Sequence, residues 1–387
     1  MNGQQMERTL QQAVVDGFIA GGNLMVLKDG KEQFYCQAGF ADRKAGLPIE
    51  RNTIFRLYSM SKPITAAAVM ILMEEGRIDL MDPVSMYIKS FRDQNVWTPE
   101  GLVPVERPME IRDLLSMTSG LVYGGGPSVP EQEAQKVFDE AIAKLGTEAE
   151  IGTVEMAERL GACPLMFQPG SSFMYGTSAD VLGAIVETVS GQSFGAFLKE
   201  RIFDPLGMED TGFYVPAAKQ GRLAKVYING QSDKEYKFSH LDIQNEMKFA
   251  PRFESGGAGL VSTITDYARF ATMLLNGGTY KGQQILKEST VRYMTGHHLT
   301  APQQAAMDFG WPGLAGYSYG NLMRTLVDPS KAVHIVFDGE YGWDGWLGAY
   351  FCNAPEDKMT FLLMYQLTDT GTTRLTRMLL NELGAAL

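Results

Sequence analysis

Three cysteines and four histidines in 387 residues leave this chain little material for metal or redox chemistry. Cys36, Cys163 and Cys352 are odd in number, far apart and free of C-x-x-C spacing, which excludes a disulfide framework and suits a reducing compartment. His240, His297, His298 and His334 show no H-E-x-x-H or other ligand spacing, so no metal and no other cofactor is expected. A positive excess is also missing. The net charge of −11 argues against nucleic acid and anionic membrane surfaces as partners. No apolar run approaches the length of a membrane span. The first residues, Met1 to Arg8, lack the basic and apolar regions of a secretory signal, and with the unpaired thiols this points to the cytoplasm. No internal repeat or low-complexity tract interrupts the chain.

What remains is an enzyme-like composition, 45% hydrophobic and 20% charged, in a chain too long for one simple core. The most informative stretch is Ser59-Met60-Ser61-Lys62, placed where a helix begins. The following run, Pro63 to Met73, is Ala-rich and almost wholly apolar, and Pro63 suits a first turn. Residues three apart share a helical face, so the Ser59 hydroxyl and the Lys62 amine can meet. A serine becomes nucleophilic when a base takes its proton, and a lysine in a dry site has its pKa lowered towards neutrality. S-x-x-K specifies only two letters, and about one match is expected by chance in a chain this long. The plain alternative is a helix N-cap beside a solvated lysine. Two features favour chemistry: the motif occurs once, and the helix behind it is apolar on every face, so its start opens inside the protein.

The ends of the chain resemble each other. A helix over 5–17 precedes a strand over 22–28, an Asp29-Gly30 hairpin turn and a second strand over 33–38. Near the other end, 332–337, 346–352 and 359–367 read as strands, with Ala354-Pro355-Glu356-Asp357 as a turn, and a helix over 371–383 closes the chain. Between them, helical patterns over 111–117, 129–145, 179–189 and 265–275 alternate with Gly- and Pro-rich loops. The economical arrangement is an α/β (α+β) fold. Its antiparallel sheet comes from both chain ends (1–85 and 300–387), with a helix-rich lobe (86–299) inserted between. Ser59 then lies at the boundary of the two, where pockets form.

A Ser/Lys pair needs a proton carrier and an oxyanion hole. Tyr175, in the Gly/Ser-rich loop before the Asp180-Val181-Leu182-Gly183 helix, is one candidate, because an ammonium nearby lowers a phenol's pKa. The alternative is a tyrosine that only packs. Trp343-Asp344-Gly345-Trp346 is the other. A small residue at a strand edge lets substrate approach closely, and the Trp346 amide can then pair with the Ser59 amide as oxyanion donors. The alternative is an ordinary aromatic turn. Gly191-Gln192-Ser193-Phe194-Gly195 matches G-x-S-x-G, yet a helical pattern precedes it where a nucleophile elbow needs a strand. Gly191 reads as a helix C′ residue and Ser193 as the N-cap of the next helix. Gly257 and Gly259 read as a tight turn, not as a dinucleotide fingerprint.

Taken jointly, several stretches resemble the serine β-lactamase and penicillin-binding-protein superfamily, on the branch of class C β-lactamases and family VIII carboxylesterases. They are Ser59-Met60-Ser61-Lys62-Pro63, Glu74 to Val84, Ile111 to Leu121, Tyr175 with Asp180 to Gly183, and Gly256 to Thr263 with Asp266 to Phe270. The resemblance implies that Ser59 is acylated, that Lys62 is its proton partner, that Tyr175 is general base and then acid, and that the Ser59 and Trp346 amides form the oxyanion hole. The chain departs from the family where Trp343-Asp344-Gly345 stands in place of Lys-Thr-Gly, whose cation and hydroxyl grip a substrate carboxylate. An aromatic plus a carboxylate repels an anionic β-lactam and admits a neutral or cationic acyl substrate. The reading is a cofactor-free carboxylesterase acting on small esters. The alternatives are a class C-like β-lactamase or D-amino-acid peptidase, an acyltransferase, or a sensor that is acylated without turnover. Tyr175 speaks against the last, since a pure binder has little need of a deacylation base.

Overall fold

The computed structural model describes residues 3–236 and 246–386. His240 and the rest of 237–245 lie outside the described residues. Helix α1 (Gln4–Val15) leads into strands β1 (Gly21–Lys28), β2 (Lys31–Asp42) and β3 (Leu47–Pro48). Helices α2 (Lys62–Glu74), α3 (Ile111–Leu115), α4 (Val129–Lys144), α5 (Thr153–Gly161), α6 (Ser178–Ser190), α7 (Ile264–Leu275) and α8 (Ala301–Gly310) follow among shorter elements. Strands β4 (Tyr317–Gly320), β5 (Met323–Leu326), β6 (Tyr341–Asp344), β7 (Tyr350–Ala354) and β8 (Met359–Tyr365) then precede the last helix, α9 (Arg374–Ala386).

All eight strands form one antiparallel sheet in the order β4-β5-β6-β7-β8-β1-β2-β3. Both chain ends therefore meet in it, through pairs such as Leu24↔Leu363 and Val26↔Phe361. Every residue of β8 is buried, which is why it reads as a continuous apolar run without alternation. Its two faces serve different cores. Phe361, Leu363 and Tyr365 pack with Met6 and Leu10 of α1 and with Leu379 and Leu383 of α9. Leu362 and Met364 turn to the larger core, shared with α2, α6 and α7. Helix α2 runs through that core with Lys62 to Leu72 all buried, so its apolar composition reflects cover on every side. Asp29 and Gly30, with φ of 51° and 68°, make the turn between β1 and β2.

Two strand expectations need correction. Residues 332–337 are not a strand; after the 3₁₀ turn Pro329–Lys331 the chain runs over the surface, with Val333 and Ile335 exposed. The sheet position goes to β6, paired as Tyr341↔Asn353 and Trp343↔Phe351. The strand expected over 346–352 begins later, because Gly345 to Ala349 closes a turn through the Gly345 amide on the Ala349 carbonyl. Strands β4 and β5 were not expected at all. Among the described residues no single helix is long and apolar enough to cross a membrane.

Candidate active site

Ser59 sits in a 3₁₀ turn, Tyr58–Ser61, that runs directly into α2. Tyr58 holds a left-handed φ of 46°, an uncommon conformation for a bulky residue, and its ring packs on Trp346 at 5.1 Å. Each neighbour of the serine is tied down. The Met60 carbonyl accepts from the Tyr267 hydroxyl (2.9 Å), and the Ser61 hydroxyl accepts from the Leu260 amide (3.1 Å). The turn is thereby fixed with the Ser59 side chain facing a cavity.

Lys62 is completely buried, and its nitrogen has three partners: Ser59 Oγ at 3.1 Å, Tyr123 Oη at 3.0 Å and the Gly257 carbonyl at 2.8 Å. Burial lowers its pKa to about 7, against the opposing pull of Asp180 and Asp344. The neutral form of the amine is thus brought within reach near neutral pH. A neutral amine has two N–H bonds and one lone pair. The Gly257 carbonyl can only accept and Tyr123 Oη can accept, so the lone pair is left for the Ser59 O–H.

The Gly257 carbonyl is held from beneath. Asp180, at the start of α6, accepts from the Gly257 amide (3.0 Å) and from the Ser255 hydroxyl (2.6 Å). A Cβ at Gly256 would collide with the Ala179 carbonyl, so the tight turn expected here requires that glycine. Asp180 thereby fixes the amide of the same residue whose carbonyl orients the Lys62 amine.

Tyr175 comes from the loop before α6. The Met174 amide is held by the Met117 carbonyl (3.0 Å), and a Cβ at Gly176 would strike the Leu121 carbonyl. Its hydroxyl is hydrogen-bonded to Ser59 and accepts from Trp343 Nε1 at 3.0 Å. The expectation of a lowered phenol pKa is corrected. Burial drives it well above its ordinary value, and the bonds to Ser59 and Trp343 offset only part of this. Lys62 Nζ lies 4.5 Å from the centre of the Tyr175 ring, against its face, while the amine's phenol hydrogen bond goes to Tyr123. The resting phenol therefore keeps its proton, and of the two groups it is the amine whose pKa lies near neutrality.

Gly345 has a packing use as well. A Cβ there would collide with the Leu57 carbonyl, so its bareness brings the end of β6 against the Ser59 turn. Trp346 follows in that turn and is anchored by its carbonyl, which accepts from the Thr370 amide (3.0 Å), and by its indole N–H on Asp369 (2.9 Å). Asp344 lines the cavity, but its carboxylate is engaged by the Thr372 hydroxyl and amide; burial raises its pKa, with Arg324 and Thr372 pulling it back.

Ser59, Tyr175, Trp311, Trp343, Asp344 and Trp346 line a cavity of about 380 Å³ together with 312–314 and 370–372. Among the described residues no lysine or arginine lines it. Sequence reasoning missed Tyr123, the Gly257 carbonyl and Trp311. Tyr123 stands two residues past Ser119-Gly120-Leu121, close enough to have been considered with that motif. The other two have no local signal. Ser193 is the N-cap expected, accepting from the Ala196 amide at 3.2 Å, after Gly191 with φ 74°. His298 contacts the Thr325 hydroxyl and His334 stacks on Tyr317, both away from the cavity lining.

Comparison with known proteins follows the same lines. The family model described as Beta-lactamase matches residues 6–385. Protein Rv1367c of Mycobacterium tuberculosis is 32% identical over 355 residues, 90% of this chain and 86% of that protein. Esterase EstB of Burkholderia gladioli is 29% identical over 359 residues, 89% of this chain and 85% of its own. In structure, EstCE1, described as a hydrolase with promiscuous acyltransferase activity, superposes with a TM-score of 0.82 at 24% identity, covering 98% of each chain.

Proposed function

The chain belongs to the beta-lactamase family and is a serine hydrolase of that fold; on that footing we propose that it hydrolyses small neutral carboxylic esters through an acyl-enzyme on Ser59. Neutral Lys62 takes the Ser59 proton as Oγ attacks the ester carbonyl carbon. The Ser59 and Trp346 amides receive the oxyanion. Collapse breaks the bond to the leaving oxygen, which takes the proton of the Tyr175 hydroxyl and departs as an alcohol. Lys62 is then an ammonium and Tyr175 a phenolate, each stabilised by the other. Water loses a proton to Tyr175 and attacks the acyl carbon; Ser59 Oγ leaves with the proton held by Lys62. The pair acts as one coupled acid–base unit, and both groups return to their starting state.

The observation that carries this reading is the wall of the cavity. By the resemblance Trp343 stands where the family carries lysine; its indole N–H donates to the Tyr175 hydroxyl, and apart from Lys62 beneath Ser59 no lysine or arginine among the described residues reaches the cavity. A carboxylate-bearing β-lactam finds no counter-charge there, and Asp344 adds a like one. A neutral ester has no charge for Asp344 to repel, and the rest of the wall is aromatic rings, hydroxyls, Pro312 and Leu314. The likeness to an esterase supports the same choice. Kinetics on p-nitrophenyl butyrate and on a chromogenic cephalosporin test it: kcat/KM for the ester is expected to exceed that for the cephalosporin by about 10³ or more. A cephalosporin turned over faster than the ester reverses the assignment.

A further inference from the structure

The loop after α8, Gly310-Trp311-Pro312-Gly313-Leu314, contributes a whole side of the cavity and has no part in the proton transfers above. Trp311 is its fixed point. The indole meets Tyr175 at 5.0 Å and Phe173 at 5.6 Å, both edge-on, and lies 5.7 Å from Trp343. Three rings thus hold it in one orientation, while it stays half-exposed and lines the cavity. Pro312 limits the backbone beside it.

Its position relative to Tyr175 decides which part of an ester it meets. The Tyr175 hydroxyl protonates the leaving oxygen, so the alcohol portion must pass that hydroxyl. The acyl portion stays bonded to Ser59. The surface beside Tyr175 on the loop side, Trp311 with Pro312 and Leu314, is therefore where the alcohol rests. It is apolar, and its main component is a flat ring already immobilised by its neighbours. Such a surface holds another flat ring at little cost in side-chain ordering, and an aromatic pair adds about threefold to tenfold over the same area of aliphatic contact.

We propose that Trp311 is a specificity-determining residue that forms the leaving-alcohol subsite and selects esters of flat aromatic alcohols over aliphatic ones of equal size. This rests on the esterase reading and names the substrate class within it. The test holds the acyl group constant and compares benzyl butyrate with cyclohexylmethyl butyrate, each corrected for its hydroxide-catalysed rate, in wild type, Trp311→Leu and Trp311→Phe. Wild type is expected to favour the benzyl ester at least threefold in kcat/KM. Trp311→Leu should remove that preference, and Trp311→Phe should keep most of it. In a parallel series of p-nitrophenyl esters from acetate to octanoate, the acyl preference of Trp311→Leu should match wild type. The phenylalanine variant also secures the measurement should the leucine variant misfold, since loss of preference there while activity persists already contradicts the proposal. An active enzyme whose benzyl preference is absent or survives Trp311→Leu, or whose acyl profile shifts instead, overturns the proposal alone. An enzyme inert to every ester overturns the esterase reading and this inference with it.

Discussion

Two serines in this chain stand at helix starts inside recognisable motifs, and only one is surrounded by acid–base partners. Ser193, in G-x-S-x-G, spends its oxygen on the Ala196 amide and caps a short helix. Ser59 is not at an N-cap position; it lies within the 3₁₀ turn Tyr58–Ser61 that leads into α2. Its neighbours are instead a buried amine and a partly buried phenol, each with a pKa moved by desolvation and each held by further partners. The chemistry of a serine is thus set by what is packed around it, at sequence distances such as 59 to 175 and 62 to 257 that no short motif spans. The largest effect follows directly. Ser59→Ala should lower kcat on p-nitrophenyl butyrate by about 10⁴-fold or more, with the melting temperature nearly unchanged. Steady-state kinetics on the folded variant check it, and substantial remaining turnover would move the nucleophile elsewhere.

The second way to sharpen the contrast is pH. Because the Lys62 amine must be neutral to act, kcat/KM should rise about tenfold per unit below its pKa and level off above about 7. A profile that inflects only near the ordinary lysine value would show that the burial of Lys62 does not prepare the base. Folding carries the same signature. Between about 7 and the unfolded value of 10.5 the unfolded chain binds the extra proton, so wild type should gain stability relative to Lys62→Met as pH rises across that window. Denaturant unfolding at two pH values within it reads the sign.

The comparison also explains what the sequence disclosed and what it withheld. Ser59 with Lys62 is legible because three residues of helix bring them together, and α2 because an Ala-rich apolar run admits few other structures. Tyr175 stood out through its loop and the helix after it. The direction of its phenol pKa was misjudged, because desolvation outweighs the neighbouring charge and only packing reveals desolvation. The sheet was legible where strands are apolar on both faces, as in β8, and obscure where polar residues are buried. Strand β5 carries Arg324, which lies only 1% exposed between the Tyr317 and Tyr350 rings and near Glu340. Apolar alternation at Val333 and Ile335 suggested a strand that the chain leaves on the surface. The Gly257 carbonyl and Trp311 gave no local sign because their importance lies wholly in what they touch, whereas Tyr123 was marked only by its nearness to Ser119-Gly120-Leu121.

The smallest expected effect closes the contrast from the other side. Ser193 satisfies one of the open amides at a helix start, and removing such a cap costs about 1 kcal/mol. That short helix packs through Phe194 and Phe197 into the main core, so the loss should appear in the melting temperature. Ser193 is far from the cavity lining in sequence and contributes nothing to it. Ser193→Ala should therefore melt a degree or two lower while retaining kcat and KM within about twofold. Ser193→Asp, which restores an N-cap acceptor, should recover the stability with no change in rate. If activity instead falls with the cap and returns only with serine, the hydroxyl at 193 is taking part in the reaction and the assignment of the two motifs must be exchanged.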